Sequence, residues 1–174
     1  PTFAFRGVHI FTGKDSLDLH RRLIERIFTR FKLNHLVLQA DYTQWETNRQ
    51  MWTDISVPKA QVAEHVRIAR ENGMEVTPLV QSLGHAEWMF KNGANLDIAE
   101  DPGHPYAYDA TNPKTYDFIL GVYGEAMELF GNPKMFHIGH DEVDLFGRYP
   151  HREESKRWGK TKLFVSDVER LRQF

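Results

Sequence analysis

The chain has 174 residues, 41% of them hydrophobic and 26% charged, enough length and apolar content for one domain with a real core. A formal net charge of −2 gives no basic footprint for nucleic acid, and no apolar run approaches the ~18 residues of a membrane span. With no cysteine there is neither a disulfide framework nor thiolate chemistry. Phe5–Phe11 reads as a first strand, with Val8 and Ile10 on one face, and Thr12-Gly13-Lys14 breaks it. Asp15 or Ser16 caps a helix with Asp18 in its first turn, where an acid is favoured. Leu23, Ile24, Ile27, Phe28 and Phe31 then recur at helical spacing. Leu36-Val37-Leu38 is a second, buried strand, and Gln39-Ala40-Asp41-Tyr42 leaves its C-terminal end. Ser56 and Pro58 open the next helix; Val62, Val66 and Ala69 mark its apolar face and Gly73 its stop. Glu75–Val80 is a third strand, running out into Gln81-Ser82-Leu83-Gly84-His85. The long polar stretch from Asn92 to Ala110 reads as a functional loop. Asn112 caps and Pro113 opens a third helix, with Tyr116, Ile119, Leu120, Tyr123, Met127 and Phe130 inside it and Gly131 at its end. Met135, Phe136 and Ile138 form a fourth strand that stops at Gly139. A last helix from about Thr161 is expected to bury Phe164, Val165, Val168 and Leu171.

Strand followed by helix, four times over, predicts a parallel sheet covered by helices. No GxGxxG follows the first strand, so a dinucleotide fold has little support. A closed barrel of alternating strands and helices has eight strands. The expected fold is therefore α/β, a parallel (βα)4 half of a TIM-type (β/α)8 barrel. Polar residues gather after each strand: Arg6 and His9 near the first, Asp41 and Trp45 after the second, Gln81 and His85 after the third, and His140, Asp141 and Glu142 after the fourth. Chemistry at the C-terminal ends of parallel strands is the rule in barrels and open sheets alike. Adjacent side chains of a strand point to opposite faces. Asp141 and Glu142 therefore serve one site only if the chain turns out of the strand at Gly139–His140. A bare Asp-Glu pair is more often a solvated loop; the flanking strand, the glycine and the two histidines argue for more.

Taken in order, these stretches resemble glycoside hydrolase family 20, the β-N-acetylhexosaminidases. Phe5-Arg6-Gly7 looks like the family's Arg-Gly at the first strand. Asn34–Leu38 through Asp41 and Gln44-Trp45 is similar to its second strand and loop, and Gly73–Pro78 followed by Gly84-His85-Ala86 to its third. Asn112–Tyr116 leads into the helix before its fourth. Phe136-His137-Ile138-Gly139-His140-Asp141-Glu142-Val143 resembles its most specific motif, His-Ile-Gly-Gly-Asp-Glu in most members. The resemblance covers about the whole chain but only the first half of the family's barrel. Residues 1–174 would then be a single partial catalytic domain.

The resemblance implies a task for each matched residue. Glu142 would be the general acid that protonates the leaving glycosidic oxygen, its proton held by burial and by the charge of Asp141. Asp141 would orient the substrate's own 2-acetamido group, which attacks the anomeric carbon in place of an enzyme nucleophile. Arg6 would bind ring hydroxyls through its fork of donors. Asp41, His85 and His137 would belong to the polar shell around acid and sugar, with Trp45 and His140 also at the substrate. Two departures stand out: His140 replaces the usual glycine, and Gln81 stands near where relatives often carry an acid, weakening any relay to His85. No cofactor and no metal are implied. The implied partner is an N-acetylhexosamine-containing glycan or glycoconjugate, with no nucleic acid and no membrane. Either self-association or a missing C-terminal half-barrel would complete the site. The compartment is open between secreted, periplasmic and cytoplasmic.

Two rival readings remain at this stage. One is a metal-dependent barrel hydrolase or isomerase with His137, His140, Asp141 and Glu142 as ligands, although three consecutive residues rarely bind one ion and the first strand lacks a His-x-His pair. The other is a non-catalytic carbohydrate-binding half-barrel, against which the intact Asp141-Glu142 pair argues. Trp45, Trp52 and Trp88 could stack on sugar, but aromatics of this kind are more often packing, while His65 and His104, with no visible partner, read as solvated.

Overall fold

A computed structural model describes residues 2–174 and, of Phe146, only the backbone. Strand β1 (Gly7–Phe11) is followed by helix α1 (Leu17–Leu23), β2 (His35–Gln39), α2 (Lys59–Glu71), β3 (Glu75–Ser82), α3 (Pro113–Leu129), β4 (His137–Gly139), α4 (Glu153–Trp158) and α5 (Lys160–Leu171). The strands form one sheet in the order β1-β2-β3-β4. Gly7 pairs with His35 and Phe11 with Gln39, and His35 in turn pairs with Glu75, all in parallel register. The parallel α/β repetition expected from the sequence is present.

The chain folds as two compact units. The first comprises everything up to Trp45 together with Asp54–Val80 and Glu125–His137. Its core is built on Leu36 and Leu38 of β2, both fully buried, with Val62, Val66, Ile68 and Ala69 of α2. Each buried leucine, valine or isoleucine among them contributes roughly 1.5–3 kcal/mol by leaving water. Beyond Leu23 the first helix widens into a π-turn over Ile24–Phe28, with Thr29 N bonded to Ile24 O at 3.2 Å and Leu33 N to Phe28 O at 2.9 Å. Ile24 and Phe28 face inward, whereas Ile27 and Phe31, expected on the same apolar face, are exposed. Ser16 starts α1 without capping it; its hydroxyl donates back to Gly13 O at 2.8 Å. His65, expected in solvent, is fully buried. Its Nδ1 lies 2.8 Å from Gln61 O and its Nε2 3.3 Å from Ser16 Oγ, and its ring packs edge-on to His20, centroids 5.0 Å apart. Helix spacing alone does not say which neighbour fills the next position, and here it is a second imidazole.

The second unit comprises Glu46–Thr53, Gln81–Gly124 and Ile138–Phe174. The polar stretch from Asn92 to Ala110, expected as a functional loop, has local structure of its own. It carries short 3-10 turns (Glu87–Gly93, Leu96–Ile98) and an antiparallel bridge from Ala99 to Tyr108, and Tyr108 is fully buried. In α5 the buried stripe is Leu163, Asp167 and Leu171, while the expected Phe164 and Val165 are exposed. The stripe still runs at i, i+4 and i+8, but its central member is an acid.

Candidate active site

Two turns in the second unit meet where β3 and β4 end. After Ser82, Leu83 and His85 take positive φ values of 60° and 49° on either side of Gly84. A Cβ on Gly84 would overlap the backbone of Asp141 and Val143, so only glycine allows the two segments this close. The chain leaves β4 through Gly139 and His140 at φ 77° and 74°, with Glu142 at 43°. That is the turn the Asp-Glu pair requires if both acids are to serve one site. Non-glycine residues held in left-handed conformation cost roughly 1–2 kcal/mol each, and such residues cluster at functional sites.

The end of β3 and the turn after it meet the two acids. Gln81 Nε2 donates to Asp141 Oδ2 at 2.6 Å, and His85 Nε2 lies 3.4 Å from Glu142 Oε2. The Tyr106 ring stands edge-on to His85, centroids 5.3 Å apart. Burial, then the charges of Glu87 and Glu142, pushes the Tyr106 phenol up to about 12. The burial expected around Glu142 is absent, its side chain being 67% exposed. An exposed His–Glu pair adds at most about 1 kcal/mol of stability, so this contact orients the carboxylate more than it holds the fold.

His140 does not reach toward this site. Its side chain is 5% exposed. The Nε2 sits 2.7 Å from Asp167 Oδ2, and Nδ1 lies 3.2 Å from Ser82 Oγ and 3.3 Å from Ile138 O. Asp167, fully buried, also accepts from Tyr108 at 2.8 Å and Tyr116 at 2.6 Å. Burial first, and then the Asp167 carboxylate, raises both phenols well above their ordinary range. Both nitrogens of His140, expected at the substrate, are committed to α5 and to the β3 and β4 ends, and the side chain pins the turn in place.

The remaining expected residues lie in the first unit. Asp41, buried, accepts from Gln39 Nε2 at 2.5 Å, and Gln39 Oε1 lies 2.9 Å from His9 Nε2, a short polar chain at the C-terminal ends of β1 and β2. Trp45 is fully buried and donates its indole N–H to Asp41 O at 3.2 Å, so it packs and does not offer a stacking face to sugar. Arg6 precedes β1, at the end of the strands opposite Asp41. Its guanidinium donates to Lys32 O and Phe3 O at 2.5 Å and Ala4 O at 3.1 Å, which ties the N-terminal segment to the chain before β2. His137 is exposed at the start of β4, one strand length before the turn. Among the described residues no three of His, Asp and Glu converge as a metal-binding set; His140, Asp141 and Glu142 each face a different partner.

Sequence reading undervalued Gln81 and missed Asp167. Gln81 was visible as a polar residue at the buried end of a strand, where an amide must find a partner. The signal for Asp167 was an acid four residues from both Leu163 and Leu171, in the middle of an apolar stripe.

Comparison with known proteins agrees with this fold. The profile of the glycosyl hydrolase family 20 catalytic domain matches residues 32–173. Hexosaminidase D of Bos taurus is 29% identical over 116 residues, 63% of this chain and 33% of that protein. The family 20 β-N-acetylhexosaminidase of Streptomyces coelicolor A3(2) superposes with a TM-score of 0.76 at 20% identity, covering 99% of this chain and 37% of that one. A mutant β-hexosaminidase of Streptomyces plicatus, solved in complex with its product N-acetylglucosamine, gives a TM-score of 0.76 at 22% identity over 98% of this chain and 36% of that one. The chain thus spans about a third of the length of these relatives, and its fold is that of part of their barrel.

Proposed function

Because the chain belongs to the glycosyl hydrolase family 20 catalytic domain, we propose that it carries the acid-bearing part of a retaining exo-glycosidase that releases terminal β-linked N-acetylhexosamine. Glu142 protonates the glycosidic oxygen as the bond to the anomeric carbon breaks. The acetamido oxygen of the same sugar attacks that carbon, forming an oxazolinium ion, while Asp141 accepts from the acetamido N–H and stabilises the positive charge. Water then adds to the anomeric carbon with Glu142, now a carboxylate, taking its proton, and the configuration is retained. Adjacent acids suit this division because the enzyme supplies no nucleophile.

The observation that carries the reading is the double hold on the acids: Gln81 on Asp141 at 2.6 Å and His85 on Glu142 at 3.4 Å. Gln81 donates, so Asp141 is kept as an acceptor turned to one side, as the orienting role needs. The exposed Glu142 carboxyl is free to reach a substrate oxygen. The product complex of the Streptomyces plicatus relative supports N-acetylhexosamine as the ligand class.

The test is hydrolysis of an aryl N-acetyl-β-glucosaminide beside the aryl glucoside that lacks the acetamido group. Only the first is cleaved, and Glu142→Gln lowers its kcat by about 10²–10⁴. If neither is cleaved while N-acetylglucosamine still binds, the chain is one part of a larger site. Equal cleavage of both substrates, or undiminished cleavage by Glu142→Gln, overturns the reading.

A further inference from the structure

The turn that carries both acids is held in a conformation that needs support. His140 and Glu142 sit at φ 74° and 43°, where a residue with a Cβ is disfavoured. Such conformations persist only where the surroundings over-determine them. The contact of Glu142 with His85, at 3.4 Å and exposed, adds little hold. Asp141 is anchored through one amide, Gln81 Nε2 at 2.6 Å. His140 alone is anchored in the interior, its buried Nε2 donating to Asp167 Oδ2 at 2.7 Å.

Asp167 is itself fixed from several sides. It is fully buried, and it accepts from Tyr108 at 2.8 Å and from Tyr116 at 2.6 Å. The Tyr116 ring in turn lies against the Arg170 guanidinium, 3.9 Å from its centroid. Tyr108 precedes α3, Tyr116 belongs to α3 and Asp167 to α5, so the carboxylate gathers separate parts of the second unit. On its other side the imidazole faces Ser82 Oγ, 3.2 Å from Nδ1, and the same hydroxyl donates to Ile138 O across the ends of β3 and β4. The Phe164 ring stands edge-on to it, centroids 5.1 Å apart. His140 therefore cannot rotate without breaking a buried hydrogen bond, and Asp141 and Glu142 follow it directly in the chain.

We infer that Asp167 is a positioning residue for the glycosidic step, holding Asp141 and Glu142 in register with the substrate through His140. Neither Asp167 nor His140 touches the substrate. The inference rests on the function proposed above. It accounts for a bulky residue at a left-handed position, because the side chain that makes φ 74° costly is the one that secures it. It also gives the acid in the middle of an apolar stripe a task that packing does not.

Two variants test it. His140→Gly cuts the link to Asp167 but takes φ 74° without a Cβ penalty, so the turn stays allowed and is no longer held. Asp167→Asn keeps the side-chain volume and removes the carboxylate. Kinetics are run well below each melting temperature, so that only folded protein is compared. With an aryl N-acetyl-β-glucosaminide, kcat falls about tenfold to a hundredfold in either variant while KM changes less than about twofold, as for acids displaced by a fraction of an ångström. The double variant falls no further than the weaker single one, because both substitutions cut one link. NMR relaxation of the backbone amides of residues 140–143 gives order parameters of about 0.85 in the wild type and below about 0.6 in His140→Gly, with α3 and α5 unchanged. A purely structural role would lower the melting temperature and leave kcat and these order parameters as they are. That outcome overturns the inference, as does a fall in kcat with the turn still rigid, or a loosened turn with full kcat. Where the wild-type chain cleaves nothing, the proposed function is what is in question, and the order parameters alone decide the link. A turn that stays rigid in His140→Gly then overturns it, and one that loosens supports it.

Discussion

At Gly139 the backbone sits at φ 77°, and a Cβ there would overlap the Gln81 side chain that holds Asp141. Two costs therefore fall on Gly139→Ala: the left-handed conformation, about 1–2 kcal/mol for a residue with a Cβ, and displacement of the Gln81 amide. We expect a loss of about 1–3 kcal/mol in denaturant unfolding and a weakened Asp141 contact, visible as a lower kcat if Asp141 orients the substrate. Unchanged stability and kcat would mean that neither the turn nor the Gln81 contact matters. The turn that carries Asp141 and Glu142 is legible in the sequence because it follows from local events, a strand end and a glycine, whereas the tasks proposed for the two acids come from the family resemblance. Trp45 and Arg6 could not be placed in the same way. Whether an indole faces sugar or the core depends on what fills the space beside it, and whether a guanidinium is available depends on which carbonyls lie in reach. Chain order shows neither.

Helix α5 makes the same point one level up. Apolar periodicity selects Phe164 and Val165, yet the stripe that packs contains Asp167 between Leu163 and Leu171. The carboxylate is tolerated there because Tyr108, Tyr116 and His140 all surround it. Asp167→Ala would orphan these three groups, and breaking a buried polar cluster of this kind costs about 3–5 kcal/mol. Phe164→Ala, a part-exposed ring edge-on to His140, should cost less, about 1 kcal/mol. Denaturant unfolding of the two variants separates the stripes, and the reverse order would restore the apolar reading. Between α1 and α2 the buried His20 and His65 give a pH signature. Burial lowers both, His20 to about 4, with the neighbouring His65 adding to the effect on His20. Gln61 O and Glu64 oppose the shift of His65, and Arg21 adds to it. The unfolded chain, with histidines near 6.5, binds more protons than the fold between about pH 6.5 and 4, so stability falls as pH drops through that window. The His20 contribution is roughly 3 kcal/mol at most. Chemical denaturation at pH 7 and pH 5 checks it; His20→Gln should flatten the pH dependence, and an equal slope in variant and wild type would sink the assignment.

Over the whole chain, the order of elements was the most legible feature, because strand–helix alternation with glycine and proline punctuation is local and repeats. What surrounds each element is not local: four strands imply exposed sheet edges and self-association, but not which side chains of β1 lie in the open. This strand is the first in the sheet order, and its Gly7, His9 and Phe11 are exposed on one face, Phe11 at 62%. Phe3 and Phe5 beside it are exposed as well. An edge strand with unpaired backbone groups and adjacent exposed aromatics is a template for pairing with another chain. We therefore propose that the chain self-associates through β1. Light scattering across a concentration series should give masses above that of one chain. Phe11→Lys, which puts a charge on the edge, should shift the distribution toward the monomer. The substitution lies on an exposed side chain, so it leaves the core of the first unit intact, and circular dichroism of the variant should match wild type. A monodisperse wild-type monomer at every concentration would remove the proposal. Association that persists unchanged in Phe11→Lys would move the contact to another surface.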